Sequence, residues 1–155
     1  MNVEKIPACP DDEGFLYELF AATRRGEIAS WGFNQQEGEL LLQMQFKGQS
    51  QSYAMNYPDA KRHLLVVENE KIGSIVVLTT DQEIRLVDLA LLPHYGNRGI
   101  GTQLLLELQQ EATSQQKSVS LSVLNTNPAK RLYQRLGFLE VGNDGVYCQM
   151  VWRNQ

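Results

Sequence analysis

The sequence predicts an α/β fold of the mixed (α+β) kind, a central mixed sheet with helices on both faces, and three observations carry that expectation. Runs rich in Val and Ile, such as residues 63–67 and 72–78, have the composition of strands. Segments with apolar residues three and four apart, above all Leu104, Leu105, Leu108 and Ala112, have the stripe of amphipathic helices. The two kinds of segment are interspersed along one chain, so each must bury its apolar side against the other.

The elements follow in order. The short start "NVEKIPA" reads as a first strand. Asp11 and Asp12 offer a cap to a helix whose Phe15, Leu16, Leu19 and Phe20 fall at helical spacing. Residues 38–55 fit either period, since Leu40, Leu41 and Met44 suit a helix while "LLLQMQF" also suits a strand; we assign a helix. Residues 63–67 and 72–78, separated by the polar "ENEK", form a hairpin. Residues 83–92, "EIRLVDLALL", are apolar on both parities except at Arg85 and Asp88, which marks a central strand with cover on both faces. Those two charges then need partners. The pattern turns helical from Gly99, and "KSVSLSVL" returns to strand. Asn127 and Pro128 suit the first two positions of a helix that continues through Leu132, Tyr133 and Leu136 and stops at Gly137, where a left-handed residue belongs. "FLEVGNDGVYCQMVW" closes the order as two strands around the turn "GNDG". No repeat, linker or low-complexity tract divides the sequence, so residues 1–155 are expected to form a single domain.

Composition excludes several classes of function. A hydrophobic content of 43% with 21% charged residues is that of a globular protein with a packed core. A net charge of -4 argues against a broad footprint for nucleic acid or an anionic membrane. Cys9 and Cys148 have no metal-ligand spacing, no secretory segment precedes them, and no apolar run is long enough to span a bilayer. The expectation is a soluble cytoplasmic protein, monomer or homodimer, with no metal site and no nucleic-acid or membrane partner. His63 and His94 read as solvated or locally bonded imidazoles.

"PHYGNRGIGTQLL", residues 93–105, carries the chemistry. A strand that passes through a glycine-rich turn into a helix aims several unpaired N–H groups and the positive end of a helix dipole at one spot, and such a spot binds phosphate. Glycine lets the phosphate approach the backbone and permits positive φ, and Arg98 can add a charge contact. A nucleoside-triphosphate loop would need Lys after its last glycine, where this chain has Thr102 and Gln103. The spacing of Gly96, Gly99 and Gly101 also fails the dinucleotide fingerprint.

A second stretch, "NTNPAKRLYQRLGF", completes the pattern. Together the two resemble the GNAT superfamily of acyl-CoA-dependent N-acetyltransferases. That family's Q/R-x-x-G-x-G/A motif falls on Gly96, Asn97, Arg98, Gly99, Ile100 and Gly101, with Gly96 where Gln or Arg is usual. Its later motif matches Asn127, Ala129, Leu132, Tyr133, Gly137 and Phe138, and the order of strands and helices fits nearly the whole chain. The resemblance implies a GNAT-like sheet, acetyl-CoA as co-substrate and transfer of its acetyl group to a primary amine of a small molecule, amino acid or peptide. It implies that Leu89, Ala90 and Leu91 run beside the pantetheine, with a main-chain N–H near Leu91 polarising the thioester carbonyl. Asn97, Arg98, Gly99, Ile100, Gly101 and Thr102 would hold the pyrophosphate, Asn127 would contact the cofactor or a water, and Tyr133 would protonate the departing thiolate. A tyrosine on an amphipathic helix is otherwise a core residue, and an Asn before Pro otherwise a cap.

The base is less clearly marked. Alternation puts Glu83, Arg85, Val87 and Leu89 on one face of their strand and Ile84, Leu86 and Asp88 on the other. Relatives carry Glu or His near Arg85 or Val87, so Glu83, acting through water, is the candidate, while Asp88 would need a bulge to turn to that face. Arg85 suits a substrate carboxylate or a structural ion pair with Glu83 or another carboxylate. The alternative function is a non-catalytic CoA-binding sensor or interaction module of the same fold.

Overall fold

The computed structural model describes residues 2–154. In chain order these are β1 (Glu4–Pro7), α1 (Glu13–Ala22), α2 (Arg25–Ser30), α3 (Gln35–Asn56), β2 (Lys61–Val67), β3 (Glu70–Thr79), β4 (Glu83–Leu91), α4 (Ile100–Gln115), β5 (Ser118–Leu124), α5 (Ala129–Arg135), β6 (Leu139–Asn143) and β7 (Tyr147–Trp152). The strands form one seven-stranded sheet in the order β1-β2-β3-β4-β5-β7-β6. β4 and β5 are parallel, whereas β1–β2, β5–β7 and β6–β7 are antiparallel, which makes the sheet mixed, as its sequence predicts. The chain divides into two compact units, residues 2–75 with 89–96, and residues 76–88 with 97–154.

In the first unit, local capping settles the segment whose periodicity is ambiguous. The Asn34 side chain accepts from the Glu37 N–H at 2.8 Å while the Glu37 carboxylate accepts from the Asn34 N–H at 3.2 Å, a reciprocal cap that starts α3. Leu42 is buried with Phe20, Ala21 and Ile28, and Leu41, Phe46 and Tyr17 pack around them. Leu40 and Met44 face outward instead, 60% and 64% exposed. α2 is a short helix that the sequence pattern does not announce; it is held through Ile28. Asp12 does not cap α1 with its side chain. Its carboxylate accepts from the Cys9 N–H at 2.9 Å and pairs with Lys71 at 3.0 Å, which leaves no oxygen aimed at the helix. The β2–β3 hairpin turns on Glu68 and Asn69, both left-handed with φ of 50° and 66°, the backbone that a two-residue hairpin loop requires.

Near the end of β4 the first unit is tight. The Leu92 N–H donates to the Ile72 carbonyl at 2.8 Å, and the buried Tyr95 hydroxyl donates to Glu70 at 2.7 Å, fixing the single turn Pro93–Tyr95. A Cβ on Gly73 would collide with the Ala90 carbonyl oxygen and lie 2.9 Å from the Leu91 side chain.

The second unit is built on alternation. Val119, Leu121 and Val123 of β5 are buried, as are Cys148 and Met150 opposite them on β7. α4 covers this face with Leu104, Leu105, Leu108 and Ala112, each at most 2% exposed. Each leucine so buried contributes on the order of 2 kcal/mol. Gln109 of α4 donates to the Leu136 carbonyl at 2.9 Å and so fastens the end of α5. Gly137 has φ of +93°, as its place after the helix requires, and a Cβ there would lie 3.3 Å from the Trp152 indole. α5 begins at Ala129 with Pro128 in the cap position, while Asn127 accepts from the Ala129 N–H at 2.9 Å through its side chain.

Gly73→Ala should lower stability by about 1–3 kcal/mol, because the β4 carbonyl has to move to admit a methyl group. Gly48, in the middle of α3 with open space around its missing Cβ, is the matched control. Its replacement by alanine should raise stability by about 0.5–1 kcal/mol. Denaturant unfolding of the two variants beside wild type checks both; equal stabilities would refute the packing argument.

Candidate active site

The site begins where two parallel strands part. β4 and β5 pair from Glu83↔Ser118 to Leu86↔Leu121, and among the described residues that pairing goes no further. Both strands continue, and β5 stays paired with β7 as far as Leu124↔Tyr147. Val87 and Asp88, both half-buried, therefore lie beyond the β4–β5 ladder.

The glycine stretch supplies free donors. Asn97 and Gly99 are left-handed, with φ of 61° and 80°, and Gly99 caps α4 without a side chain to offer it. The first helical hydrogen bond runs from the Gln103 N–H to the Gly99 carbonyl at 3.0 Å. The N–H groups of Ile100, Gly101 and Thr102 consequently have no acceptor within the helix, at its positive end. Asn97, Arg98 and Gly99 are exposed there.

The glycines of this stretch differ in why they are glycine. Gly99 is required by its φ. Gly101 is not, because a Cβ there would sit 3.6 Å from a Leu132 methyl, an ordinary contact, with no positive φ to forbid it. Nothing in the chain itself accounts for its lack of a side chain. Gly96 is extended, with φ of −68°, and a Cβ there would come 3.3 Å from the Pro93 carbonyl oxygen.

α5 lies beside this loop, Leu132 reaching toward Gly101. The next residue, Tyr133, is only 9% exposed and packs edge-on against Phe138 with ring centroids 5.8 Å apart. The ring is thus packed as a core residue. Burial, and then the negative charge of Asp88, push the phenol up to about 12. Asp88 thus acts toward Tyr133 from the strand face it shares with the buried Ile84 and Leu86. Sequence reasoning gave it no role; the signal was a carboxylate at a parity otherwise occupied by buried aliphatic residues.

Glu83 is not brought to this phenol. It stands at the other end of β4, about 16 Å from Asp88 at the rise of an extended strand and at the opposite parity. Its backbone closes a turn with Thr80. Arg85 lies between them on the Glu83 face, and no carboxylate lies within 4.0 Å of it among the described residues. The ion pair with Glu83 that the sequence allows is therefore not formed. Arg85 donates instead to the Ser120 hydroxyl and to the Gln149 side-chain oxygen, each at 3.4 Å. Asn127 is exposed, and its side-chain oxygen is engaged in the helix cap. Leu89, Ala90 and Leu91, half-buried, form the end of β4 in the first unit.

Comparison with known proteins agrees with this arrangement. The pattern of the acetyltransferase (GNAT) domain matches residues 60–140, more than half of the chain. The [ribosomal protein bS18]-alanine N-acetyltransferase of Haemophilus influenzae is 25% identical over 146 residues, covering 90% of this chain and 82% of the relative. Among solved structures, the PaiA N-acetyltransferase of Thermoplasma acidophilum in complex with coenzyme A aligns over 99% of this chain and 100% of its own, with a TM-score of 0.71 at 19% identity. A GNAT family acetyltransferase from Elizabethkingia anophelis with acetyl-CoA bound aligns over 99% and 97%, with a TM-score of 0.60 at 16% identity. A strand that parts from its parallel neighbour, a bare-amide helix entry and a matching domain pattern converge on one assignment: the chain belongs to the GNAT family of acetyltransferases, which take their acetyl group from acetyl-CoA.

Proposed function

We propose that this acetyltransferase moves the acetyl group of acetyl-CoA to the nitrogen of a primary amine by direct attack, with the pyrophosphate of the cofactor on residues 97–102. The observation that carries the proposal is the entry to α4, where three helix-end amides have no cap and Gly101 has no side chain although the chain has room for one. The relative from Haemophilus influenzae is named for acetylation of an alanine nitrogen, which supports an amine acceptor. Coenzyme A in the Thermoplasma acidophilum structure supports the cofactor.

Bound acetyl-CoA supplies an activated acyl carbon and a thiolate leaving group; the chain supplies position and proton management. The amides of Ile100, Gly101 and Thr102 hold phosphate oxygens, and Arg98 adds charge at the rim. Asn127 keeps α5 in register through its cap and presents its amide nitrogen to the cofactor or a water. Leu89, Ala90 and Leu91 flank the pantetheine, and a main-chain N–H near Leu91 stabilises negative charge on the thioester oxygen as the amine attacks. Tyr133 then donates to the departing sulfur. At about 12 the phenol is a weak acid, but the same buried surroundings also raise the basicity of a thiolate released beside it. The proton lost by the amine leaves on the Arg85 face through water, with the Glu83 carboxylate at its outer end.

Two measurements test this proposal. Calorimetry should give micromolar binding of acetyl-CoA by wild type and a loss of roughly tenfold or more in Gly101→Ala, whose Cβ intrudes on the phosphate. Thermal stability of that variant should equal or exceed wild type, since alanine is the better helix residue. Undiminished binding would place the phosphates elsewhere.

Tyr133→Phe should lower kcat by about 100-fold or more with little change in the KM for acetyl-CoA. The sign of the pH dependence follows from the raised phenol. An acid that titrates near 12 stays protonated at pH 10, so wild-type kcat should rise as the amine deprotonates and should not fall again by pH 10. A falling limb centred below 10 that vanished in the Phe variant would contradict a burial-raised phenol.

A further inference from the structure

We propose that Arg85 anchors a carboxylate of the acceptor, so that the substrate is an amino acid held by its acid group while its amine is acetylated. This inference rests on the acetyl-transfer reading above and names its acceptor class.

The site is written into the alternation of β5. "SVSLSVL" places Ser118, Ser120 and Ser122 on one face and Val119, Leu121 and Val123 on the other. Register then sets Arg85 opposite Ser120, and Gln149 opposite Ser122. The four side chains form one chain of hydrogen bonds. Arg85 Nη1 donates to Ser120 Oγ at 3.4 Å, Arg85 Nη2 donates to Gln149 Oε1 at 3.4 Å, and Gln149 Nε2 donates to Ser122 Oγ at 3.0 Å. Ser120 is only 3% exposed, and the other three are half-buried, so charge here is poorly screened.

Counting donors shows what is missing. A guanidinium carries five N–H groups in a fixed fork. Here two are engaged, both by neutral oxygens at the long end of the hydrogen-bond range. No carboxylate among the described residues lies within 4.0 Å of it. A half-buried cation with neutral neighbours is electrostatically incomplete, and a bidentate carboxylate is the group that completes it. Ser122, which accepts from Gln149, keeps its hydroxyl proton for a second contact. One guanidinium with neutral donors matches a single negative charge.

Position agrees with recognition. Arg85 and Ser120 stand one residue before the last paired rung, Leu86↔Leu121, and Ser122 stands one residue beyond it. The polar row therefore abuts the point at which β4 and β5 part.

The test offers the full-length protein the common L-amino acids, each beside its α-carboxamide, together with a peptide amide that begins with alanine. Thiol release from acetyl-CoA is followed. One or more amino acids should be acetylated with kcat/KM roughly tenfold or more above the matching amide, the loss expected for one charge-assisted pair. Arg85→Gln should raise the KM for the acid roughly tenfold more than that for its amide, while calorimetric affinity for acetyl-CoA holds. Arg85→Lys, which keeps the charge and loses the fork, should retain part of the preference. Preference for the amides or the alanyl peptide, or an equal loss for acid and amide in Arg85→Gln, would overturn the proposal. Refusal of every amino acid by protein that binds acetyl-CoA would overturn it too and leave the transfer reading standing. Failure to bind acetyl-CoA at all would sink that reading and this proposal with it.

Discussion

The second unit is organised by the end of one ladder, the pairing of β4 with β5 that stops at Leu86 and Leu121. Parallel strands normally continue as far as both are extended, because each unmade rung leaves buried backbone donors and acceptors that cost about 1–3 kcal/mol apiece. β5 escapes that cost on its other edge, where β7 follows it to Leu124. On β4, Val87 and Asp88 stand half-buried at the opening. The opening where two parallel strands part is a place for a ligand to enter a central sheet.

Alternation then divides the labour between two faces. Along β4 and β5 one parity is aliphatic and covered, with Ile84, Leu86, Val119, Leu121 and Val123 buried. α5 belongs to this face, since it ends against Trp152, which pairs with Val119. Tyr133 is held in that apolar setting, and there a phenol stays neutral. The other parity is polar, a row of serines with Arg85 and Gln149, and there a cation stays solvated by hydroxyl and amide oxygens. One strand with period two can therefore offer a neutral acid on one side and a fixed positive charge on the other. Asp88 marks the boundary, a carboxylate at the aliphatic parity whose charge is felt by the phenol.

Much of this was legible in the sequence because it is local. The stripe of Leu104, Leu105, Leu108 and Ala112, the stop at Gly137 and the glycine-rich entry to α4 each follow from spacing or from the φ that a residue permits. The mixed sheet followed from the order of such segments. What was not legible depends on pairs distant in sequence. Asp12 looks like a cap until Lys71, 59 residues away, takes its carboxylate. Leu40 and Met44 look like a core stripe until α1 and α2 choose the Leu42 side of α3. Arg85 invites pairing with Glu83 by proximity on one face, but strand register brings Ser120 and Gln149 to it first.

Gly101 shows how a site can be separated from a scaffold. A glycine demanded by φ, such as Gly99, or by a crowded neighbour, such as Gly73, is explained by folding alone and says nothing about ligands. Gly101 costs the helix about 0.5–1 kcal/mol relative to alanine and gains nothing in packing, since a methyl group would rest at normal distance from Leu132. A stability cost with no structural return, at a helix entry that no side chain caps, is the signature of a residue kept for what must come close to it. The same reasoning applies to Arg85, which is held half-buried without the carboxylate that would make it comfortable. Both positions are incomplete as parts of a folded chain, and one anion at each would complete them.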